Sequence, residues 1–489
     1  MTDIKIHKVN ETNIYLECDQ DIAMELHEYF SFYAKNYMFH PKFKAKVWNG
    51  KIYLFDIRMH TTYLGLIPKV VDFCRERNYS FTIDDELLVQ QKISISELLK
   101  FVNSLDLPLE PRDYQLDAFV QAINNKRLVI VSATGSGKSF IIYLIIRWLQ
   151  QSNLIERGLL VVPNINLVEQ MYNDFIDYGY DSSINCHRIY GGKERDSNKF
   201  LTISTWQSLI TITDKSYFSN FDFVIVDECH GVPGVSLTSV VSSCINASYK
   251  FGTTGTLDTD TTINNITILG LLGETYNASS TVELIKNKHL SDFNIKCIVL
   301  KHPEEIAIDA VKWEYKHEID YIIRNTKRNN FISNLALSLK GNTLLLFGLV
   351  EKHGKVLFEL LKTNNSNKQL FFIYGNTDIE LRENIRNIVE TVDNAIIVAS
   401  YSIYSTGVNI KNLHNIIFAS PSKSKIRVLQ SLGRVLRLAD NKSIATLYDI
   451  SDDIRYKKHI NFTLKHYINR LKIYNIEKFN YTQHTLELK

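Results

Sequence analysis

Short, uninterrupted runs of apolar residues recur along the chain from about residue 110 onward. The first five runs occupy residues 128–133, 159–163, 201–205, 223–227 and 249–255. Five more occupy residues 343–347, 370–375, 395–400, 415–420 and 445–450. Apolar runs without polar alternation are typical of parallel strands that helices cover on both faces. The pattern therefore predicts an α/β protein with two tandem, doubly wound parallel-sheet domains.

The remaining segments predict smaller parts around these two domains. Residues 1–107 mix strand-like and helical patterns, which indicates a small α+β domain that ends near the prolines of 107–112. Residues 304–330 are charged with helical spacing and predict a connector. The amphipathic stretch FTLKHYINRLKIY predicts a C-terminal helix docked on the second domain. The predicted segments are 1–107, 108–300, 301–330 (a linker helix), 331–453 and 454–489.

Composition narrows the class of protein. The 489 residues carry 56 Lys and Arg against 53 Asp and Glu, a net charge of +3, so any polyanion site must be local. The six cysteines include no CxxC pair, which argues against structural zinc and disulfides and fits a reducing compartment. The N-terminus has no signal-peptide pattern, and no apolar run approaches the ~18 residues of a membrane helix. We therefore expect a soluble, cytoplasmic protein without a membrane partner.

A glycine-containing turn joins the first apolar run to an apolar helix in LVIVSATGSGKSFIIYLII. Gly135 and Gly137 let successive backbone N–H groups face one anion at a helix N-terminus. Lys138 supplies a positive charge for the β- and γ-phosphates of a nucleotide, and the hydroxyl of Ser139 can ligate Mg²⁺. Ser132 stands where the strict phosphate-loop pattern has its first glycine. The alternative is a chance glycine-rich turn, which the combination of strand, turn, helix and GKS disfavours.

The run FVIVDECH, residues 223–230, ends in two adjacent carboxylates. In phosphate-loop enzymes a second strand ends in an acid that holds the metal, while a neighbouring group orients the attacking water. Asp227 suits the metal and Glu228 suits the water. A catalytic Cys229–His230 pair is disfavoured, because sequence neighbours on an extended chain point to opposite faces. For His230 two interpretations stay open, namely coupling at a domain cleft and an ordinary packed imidazole.

Two further patterns fit a nucleotide site. RDYQLDA, about twenty residues before the phosphate loop, places Gln115 to hydrogen-bond an adenine, with Arg112 or Tyr114 near the ring. Taken alone, the pattern is weak, because Gln115 could equally be an ordinary solvent-exposed glutamine. The TTGT stretch ends the fifth apolar run, where the hydroxyls of Thr254 and Thr256 can link the phosphate site to a second ligand.

Two arginines in SLGRVLR lie three residues apart, on one face of a predicted helix. Arg434 and Arg437, delivered to a γ-phosphate held by the other domain, would act as arginine fingers, which are worth roughly 10³–10⁵ in rate. The alternative for either residue is a surface ion pair. Their position just after a predicted strand and loop favours the arginine finger.

Taken in order, RDYQ, SATGSGKS, VVPNINLVEQ, STWQSL, VDECH, TTGT, YSTGVNI and QSLGRVLR resemble the motif series of superfamily 2 helicases over roughly residues 110–450. More narrowly, YFSFYAKNYMFHPKFKAKVWNGKI, VASYSIYSTGVNIKNLH, SKSKIRVLQSLGRVLR and the EKFNY of the tail resemble the UvsW family of phage recombination DNA helicases. The resemblance implies two RecA-like domains, a small α+β N-terminal domain and a helical C-terminal tail. It also implies an ATP-dependent DNA helicase or branch-migration motor that unwinds and remodels forks, Holliday junctions and R-loops in recombination, repair and replication.

The resemblance further implies ATP and Mg²⁺ as cofactors and assigns residues by motif. The implied nucleotide-binding residues are Arg112, Gln115, Thr134, Gly135, Ser136, Gly137, Lys138, Ser139, Gly407 and Asn409. The implied catalytic residues are Lys138, Asp227, Glu228, Arg434 and Arg437, with Ser139 and Asp227 on the metal. Coupling is assigned to His230, Thr254, Thr256 and Gln430, and a nucleic-acid contact to Thr406. Asn409 stands where many relatives have an aspartate, which keeps hydrogen bonding but loses a charge.

The implied partner is DNA, single-stranded, forked or branched, with R-loops as a further substrate. Phage single-strand-binding or recombination proteins are candidate protein partners. We expect a monomer that acts in the host cytoplasm during infection if the chain is phage-encoded.

A motor that moves along a strand should hold phosphates without selecting bases. In the first domain we expect nucleic-acid contacts from segments that follow strands, at Pro163, Gln170, Thr205 and Trp206. Trp206 can stack on a base, which is worth roughly 1–3 kcal/mol. The equally open alternative is a core tryptophan.

Residues 35–58 hold six Lys and Arg against one acid, with aromatic residues interleaved. Basic charge combined with aromatic side chains suits a domain that binds duplex or forked nucleic acid. The candidate residues are Lys42, Lys44, Lys46, Trp48 and Lys51. The alternation KFKAKVW is also compatible with a strand that exposes a lysine face to solvent.

Two other functions stay open. A motor subunit of a restriction-type nuclease complex would share these motifs, although the sequence shows no convincing nuclease carboxylate–lysine cluster. The second is a non-catalytic nucleic-acid-binding scaffold that binds ATP without hydrolysing it. Lys138, Asp227, Glu228 and the paired arginines disfavour that scaffold, because a site without activity has no need of all of them.

Overall fold

The computed structural model of the protein describes most of the chain and divides it into two compact units. The described residues are 2–34, 36–88, 92–151, 155–191, 198–231, 234–255, 263–364, 367–401, 410, 412–420 and 444–488. The first unit comprises Met1–Ser132 and Gly137–Ala278, and the second comprises Ala133–Ser136 and Ser279–Lys489.

The strands among the described residues form two seven-stranded sheets, one four-stranded sheet and one two-stranded sheet. They are β1 (Ile4–Lys8), β2 (Asn13–Glu17), β3 (Ser31–Tyr33), β4 (Lys51–Tyr53), β5 (Thr61–Tyr63), β6 (Phe81–Ile83), β7 (Arg127–Ser132), β8 (Gly158–Val162), β9 (Cys186–Ile189), β10 (Leu201–Thr205), β11 (Phe223–Asp227), β12 (Tyr249–Thr254), β13 (Thr275–Ser279), β14 (Asp292–Lys301), β15 (Thr343–Phe347), β16 (Gln369–Ile373), β17 (Ala395–Ser400), β18 (Asn415–Phe418), β19 (Ile444–Asp453) and β20 (Tyr481–Glu487).

Helices surround these sheets. The α-helices are α1 (Gln20–Tyr29), α2 (Pro41–Lys44), α3 (Ile67–Arg77), α4 (Asp85–Leu88), α5 (Ile95–Ser104), α6 (Asp113–Asn125), α7 (Lys138–Gln151), α8 (Ile165–Asp177), α9 (Ser182–Asn185), α10 (Trp206–Leu209), α11 (Gly234–Val241), α12 (Ile263–Leu272), α13 (Thr281–Lys286), α14 (Glu304–Ala310), α15 (Tyr315–Arg324), α16 (Thr326–Ser338), α17 (Lys355–Asn364), α18 (Ile379–Thr391) and α19 (Phe462–Ile476). In the part of the chain that the structure describes, every helix is too short or too polar to cross a lipid bilayer.

The N-terminal part of the first unit is built on the four-stranded sheet, in the order β5-β2-β1-β6. Strand β1 pairs antiparallel with β2 and parallel with β6. Its alternate residues Ile4 and Ile6 are buried, and they pack with Leu26 of α1 and Phe73 of α3. The strand interpretation of KFKAKVW is wrong, because Pro41 starts the short helix α2, where proline is well accommodated at the first position.

The first seven-stranded sheet has the order β13-β7-β12-β11-β8-β10-β9. Along β7, Leu128 and Ile130 pack into the hydrophobic core on one face, and Val129 packs into the core on the other. Because both faces are covered, the strand needs no polar positions, which confirms the basis of the prediction. The five predicted strands are present. The two unpredicted strands, β9 and β13, are the edges of the sheet and lack an apolar run.

The second seven-stranded sheet has the order β16-β17-β15-β18-β19-β14-β20, and it contains the five strands predicted for it. Strand β14 was not predicted, because its first half alternates polar and apolar residues. It pairs in parallel with β19 from Asp292↔Ile444 to Lys301↔Asp453. The second sheet therefore begins before the predicted boundary at residue 300. The unpredicted edge strand β20 pairs with β14 and is mostly exposed.

The predicted C-terminal helix is confirmed as α19, and a buried ion pair fixes it to the second sheet. Arg470 of α19 donates from Nε and from a terminal nitrogen to the two carboxylate oxygens of Asp449, each at 2.8 Å. The hydroxyl of Tyr474 donates to the same carboxylate at 2.8 Å. Removing one partner of a buried pair leaves an uncompensated charge at a cost of roughly 3–5 kcal/mol, so this contact requires both residues.

The predicted connector, residues 304–330, is helical and packs within the second unit. Helices α14 and α15 lie wholly inside it, and α16 begins there. Arg328 of α16 is buried, and its Nε donates to Asp452 of β19 at 2.8 Å. Its role as a linker between two domains stays a prediction.

The N-terminal sheet is anchored to the first seven-stranded sheet by buried polar contacts. The ammonium of Lys250, on β12, donates to the hydroxyl of Thr12 and, at 3.3 Å, to the carbonyl oxygen of Val241. Arg127, on β7, donates to the carbonyl oxygen of Glu11 and lies 3.3 Å from its carboxylate. Glu11 and Thr12 belong to the turn between β1 and β2. This turn therefore joins the two sheets within one unit.

We expect Lys250 to impose a pH dependence on stability. Burial, followed by the nearby charge of Arg127, lowers the pKa of Lys250 to about 7. Since the unfolded chain then binds more protons than the folded one between pH 7 and about 10, the free energy of unfolding rises over that range. Replacing Lys250 by Met removes this contribution. Relative to Lys250→Met, the unfolding free energy of the wild type should rise by about 2–4 kcal/mol between pH 7 and pH 10 in urea titrations.

The matched control is Lys126→Met. Lys126 is an exposed neighbour in the turn between α6 and β7, so its removal should leave the pH dependence unchanged. Parallel stability curves for the wild type and Lys250→Met would contradict the prediction.

Candidate active site

The candidate site lies at the carboxyl edge of the first seven-stranded sheet. Strand β12 lies between β7 and β11, so the segments that follow these three strands are neighbours. The carboxyl ends of parallel strands are where α/β proteins place their ligands. The turn after β7 carries the phosphate-loop sequence, and β11 ends at Asp227.

The turn after β7 depends on glycine at two positions. Gly135 and Gly137 have φ values of 88° and 81°, in the left-handed region that side chains disfavour. A Cβ at Gly137 would also lie 2.6 Å from Nε2 of Gln115. The amide of Gln115 accepts from the backbone N–H of Arg112 at 2.9 Å and donates to the carbonyl oxygen of Gly137 at 3.4 Å. In the structure Gln115 therefore links the start of α6 to the loop.

Other members of the predicted nucleotide set hold the same region. The guanidinium of Arg112 donates to the hydroxyl of Tyr114 at 2.9 Å. Within the loop, the backbone N–H of Ser136 donates to the carbonyl oxygen of Ala133 at 3.1 Å, which spans Thr134 and Gly135. The hydrogen bond makes this segment a tight turn.

Lys138, the first residue of α7, joins the loop to the end of β11. Its ammonium donates to the carbonyl oxygen of Ser132 at 3.4 Å and lies 3.6 Å from Oε1 of Glu228. Both side chains of this ion pair are more than four-fifths buried. The next residue, Ser139, has its hydroxyl 2.9 Å from the hydroxyl of Tyr178.

Asp227 and Glu228 reach the same edge although they are sequence neighbours. Glu228 has a φ of 48°, a left-handed conformation that breaks the alternation of side chains along β11. Asp227 is buried, and its carboxylate accepts from the hydroxyl of Thr253 at 2.6 Å. Burial, followed by the charge of Glu228, raises the pKa of Asp227 to about 6, while Lys138 opposes the shift.

His230 contacts the end of β12. Its Nδ1 lies 3.4 Å from Oε2 of Glu228 and hydrogen-bonds with the hydroxyl of Thr254. The backbone N–H of Gly255 donates to the same Glu228 carboxylate at 3.5 Å. Cys229 is buried, and burial raises the pKa of its thiol, so it is no partner for His230 in a nucleophilic pair.

The structure thus brings together the first-unit residues predicted for phosphate, metal, water and coupling. Two neighbours, Thr253 and Tyr178, were not predicted as members. Thr253 belongs to the TTGT stretch, so the sequence contained a signal for it. Tyr178 follows α8 and carries no motif. The other predicted residues, Thr256, Thr406, Gly407, Asn409, Gln430, Arg434 and Arg437, lie outside the described residues.

Asp227 and Ser139 provide the oxygen donors that Mg²⁺ prefers. Across the described residues, no group of three or more His, Cys, Asp or Glu side chains is placed to hold a metal ion. A Mg²⁺ at this edge would therefore complete its octahedral shell with water and bound phosphate, which is its usual mode of binding.

Three of the residues predicted for nucleic acid lie at or just after strand ends at the same sheet edge. Pro163 follows β8, and its carbonyl oxygen accepts from Nε2 of Gln207 in α10 at 3.1 Å. Thr205 is buried and caps α10 by accepting from the N–H of Ser208. Trp206 is partly buried against the core of one face, between the two predicted alternatives. The fourth, Gln170, lies on α8 and donates to Asp174 at 3.4 Å.

The predicted basic residues of the N-terminal part differ in environment. Lys42, Lys44 and Lys46 are exposed, and none of the described carboxylates pairs with them. Lys51 pairs with a carboxylate of α1. The indole N–H of Trp48 donates to the carbonyl oxygen of Lys51 at 2.8 Å, which orders the segment between them.

Comparisons with known proteins agree with this geometry. A family model described as "Type III restriction enzyme, res subunit" matches residues 108–259, and one described as "Helicase conserved C-terminal domain" matches residues 326–439. A third, described as "DNA helicase UvsW, N-terminal", matches residues 3–84.

Relatives with known names extend these matches over the whole chain. The ATP-dependent DNA helicase uvsW of Enterobacteria phage T4 is 33% identical over 508 residues, covering 99% of this chain and 100% of that protein. The crystal structure of T4 UvsW matches with a TM-score of 0.54 and 32% identity, covering 100% of both chains. The DNA 3'-5' translocase XPB2 of Sulfurisphaera tokodaii is 25% identical over 398 residues, covering 73% of this chain and 86% of that protein. Since the similarity to the phage T4 protein spans both chains from end to end, this chain belongs to the UvsW family of DNA helicases.

Proposed function

We propose that this chain is an ATP-dependent DNA helicase and branch-migration motor that remodels forks, Holliday junctions and R-loops. The observation that carries the proposal is the cluster of Lys138, Asp227 and Glu228 at one sheet edge, in a chain whose full length matches a helicase family. A phosphate loop beside two carboxylates is the arrangement that ATP hydrolysis requires.

Each residue of the cluster has a role in that hydrolysis. The ammonium of Lys138 would bind the β- and γ-phosphates, and the N–H groups of the loop between Thr134 and Ser139 would surround them. Asp227 and Ser139 would hold Mg²⁺, which when bound neutralises charge that develops on the phosphates. Glu228 would orient and deprotonate the attacking water. Glu228 pairs with Lys138 in the structure, so a phosphate that binds the Lys138 ammonium would break this ion pair and release the carboxylate for that role.

Further residues would complete and couple the reaction. Gln115 and Arg112 would bind adenine, as the family resemblance implies. His230 and Thr254, which contact one another, would transmit the state of Glu228 along β12.

The residues beyond the described part of the chain have roles that rest on the motif resemblance alone. Arg434 and Arg437 would act as arginine fingers on the γ-phosphate. Gly407 and Asn409 would contact the nucleotide, and Thr406 would contact nucleic acid. Thr256 and Gln430 would couple nucleotide binding to nucleic-acid binding. Many relatives carry an aspartate at the position of Asn409, so Asn409 would contact the nucleotide through hydrogen bonds without a charge.

DNA would run along the carboxyl edge of the first sheet and over the N-terminal part. Pro163 and Trp206 follow strands at that edge, and Thr205 is the last residue of β10. Gln170 lies on helix α8. Lys42, Lys44, Lys46 and Lys51, with Trp48, would hold duplex or forked DNA by its phosphates. We further propose a monomer that works in the cytoplasm of an infected host, with phage single-strand-binding or recombination proteins as partners.

The two rival functions are less well supported. The match to a restriction-enzyme model spans residues 108–259 only, whereas the similarity to the phage helicase spans the whole chain. A scaffold that binds ATP without turnover would have no use for Glu228 in its strained conformation beside Lys138. Purified protein that nicks DNA would favour the first rival, and ATP binding without phosphate release would favour the second.

Replacing Lys138 by Ala and Glu228 by Gln should separate binding from hydrolysis. Lys138→Ala should weaken ATP binding, and Glu228→Gln should keep it, because only the former loses a phosphate contact. Both should lower DNA-stimulated phosphate release by about 10²–10³-fold, the range for losing one group that stabilises a transition state. Both should still bind forked DNA in a gel-shift assay. Hydrolysis at the wild-type rate in both variants would refute the site assignment. In a separate experiment, phosphate release by the wild type with single-strand, duplex, fork, four-way-junction and R-loop substrates would show which nucleic-acid structure the protein prefers.

Tyr178→Phe should increase the affinity for ATP with Mg²⁺. The hydroxyl of Ser139 bonds to Tyr178 in the structure, and it must exchange that bond to act as a ligand. Loss of a competing hydrogen bond of about 0.5–1.5 kcal/mol predicts a dissociation constant about 2–10-fold lower in a fluorescent-nucleotide titration. Tyr180→Phe is the control, because its hydroxyl donates to Gln150 in the same aromatic cluster without touching Ser139. Equal or weaker binding by Tyr178→Phe would argue against Ser139 as a ligand.

The triple variant Lys42→Ala, Lys44→Ala, Lys46→Ala should weaken DNA binding through its electrostatic part. If each lysine neutralises one phosphate, the slope of log K against log salt should fall by about 2–3 for duplex DNA. A control triple variant removes lysines that pair with carboxylates, at Lys5, Lys69 and Lys362. It carries the same change of net charge and should keep the wild-type slope. Identical slopes for both triple variants would exclude the predicted contact.

A further inference from the structure

The N-terminal part carries a long insertion between two short paired strands. Strands β3 and β4 pair antiparallel from Ser31↔Tyr53 to Tyr33↔Lys51. The backbone N–H of Ala34 donates to the carbonyl oxygen of Gly50 at 2.9 Å and closes the loop that they enclose. Hairpin loops usually have two to five residues, and loops much longer than about twelve are mostly functional. This loop, residues 34–50, is the excursion.

The excursion is held together by its own aromatic side chains. The ring of Tyr37 stacks on Tyr33, with centroids 4.5 Å apart, and meets the edge of Phe43 at 4.9 Å. His40 and Trp48 form a second pair at 5.2 Å. An added Cβ at Gly50 would collide with the ring of Tyr37, and this glycine has a φ of 82°. The excursion therefore has a defined shape outside the core of the N-terminal sheet.

Large apolar side chains of the excursion are exposed to solvent. The exposed fraction is 73% for Phe39, 78% for Val47 and 59% for Met38. Phe39 and Val47 are each sequence neighbours of a member of the His40–Trp48 pair, so one ordered structure presents both. Three large, exposed apolar side chains within one loop are more than the isolated ones that a folded surface commonly shows, and they favour a binding role for this loop.

The positive charge around these side chains indicates the chemistry of the binding partner. Residues 34–50 contain four lysines and no aspartate or glutamate. A partner must therefore present a flat apolar surface next to negative charge. A nucleic acid does so where base stacking is interrupted, because a continuous duplex covers the faces of its bases and a junction exposes the last one.

We propose that Phe39, supported by Met38 and Val47, stacks on the terminal base pair at the junction of branched DNA, while Lys42, Lys44 and Lys46 contact the adjoining phosphates. The excursion then marks the point at which strands separate or exchange. This inference rests on the proposed helicase function and adds the element that engages the junction.

The test uses the full chain and a fork with 2-aminopurine at the last paired position, a base whose fluorescence reports stacking. Wild-type protein should change that fluorescence, and Phe39→Ala should lose at least half of the change. Its rate of fork unwinding should fall about 10-fold, in line with loss of one aromatic stack. Phosphate release stimulated by single-stranded DNA should stay within twofold of the wild type, because Phe39 lies outside the ATP site. Phe39→Trp should retain both the fluorescence change and the unwinding rate.

The control is Met24→Ala, which removes an apolar side chain of α1 that is 58% exposed. It should behave like the wild type in every assay. If Phe39→Ala shows the same fluorescence change and the same rate of fork unwinding as the wild type, the proposal is overturned. This outcome includes the case in which the exposed apolar side chains bind another protein. A parallel loss of single-strand-stimulated hydrolysis would also overturn it, by indicating a general defect. If the wild type itself hydrolyses no ATP with DNA, the helicase function fails independently of the excursion.

Discussion

The ion pair between Lys138 and Glu228 joins the start of α7 to the end of β11, at the edge where the candidate site lies. Its two partners come from different strand–helix connections, and they lie 3.6 Å apart with little exposure to water. Screening by solvent and salt is weak for such a pair, so either charge alone would be unfavourable there. A phosphate that binds Lys138 must therefore change the surroundings of Glu228. In the proposed reaction, nucleotide binding at Lys138 would therefore also release Glu228 to activate water.

The backbone must bend to allow this arrangement. An extended strand would point Asp227 and Glu228 to opposite faces, and the left-handed conformation of Glu228 returns its side chain to the edge. Asp227 remains buried beside a second carboxylate, which raises its pKa to about 6, and the hydroxyl of Thr253 compensates only part of the lost hydration. Two carboxylates and one lysine ammonium thus meet at this edge, an arrangement that would favour the proposed Mg²⁺.

Apolar patterning predicted ten strands of the two seven-stranded sheets. Nine of them are inner strands that are buried on both faces, and the tenth, the partly buried edge strand β16, was predicted because its residues are mostly apolar. The patterning missed β9, β13 and β20, which are edge strands with polar residues, and β14, whose first half alternates. Motif spacing likewise predicted Lys138, Asp227 and Glu228, since phosphate chemistry requires those residue types. It did not predict Tyr178, because that contact arises from the packing of α8 beside α7 and has no signature in sequence. The strand interpretation of KFKAKVW failed because Pro41 favours a helix start over alternation.

The anchoring of the N-terminal sheet decides what the excursion can do. Lys250 and Arg127, on two central strands of the first seven-stranded sheet, both bond to the turn between β1 and β2. At Gly65 the backbone approaches the carbonyl oxygen of Leu269 so closely that a Cβ would collide with it. Contacts that tight leave little freedom for the N-terminal sheet to rotate on its neighbour, because packed interiors resist small displacements. Any displacement of the first unit along DNA would therefore carry the N-terminal sheet with it, and the excursion between β3 and β4 would move in the same direction.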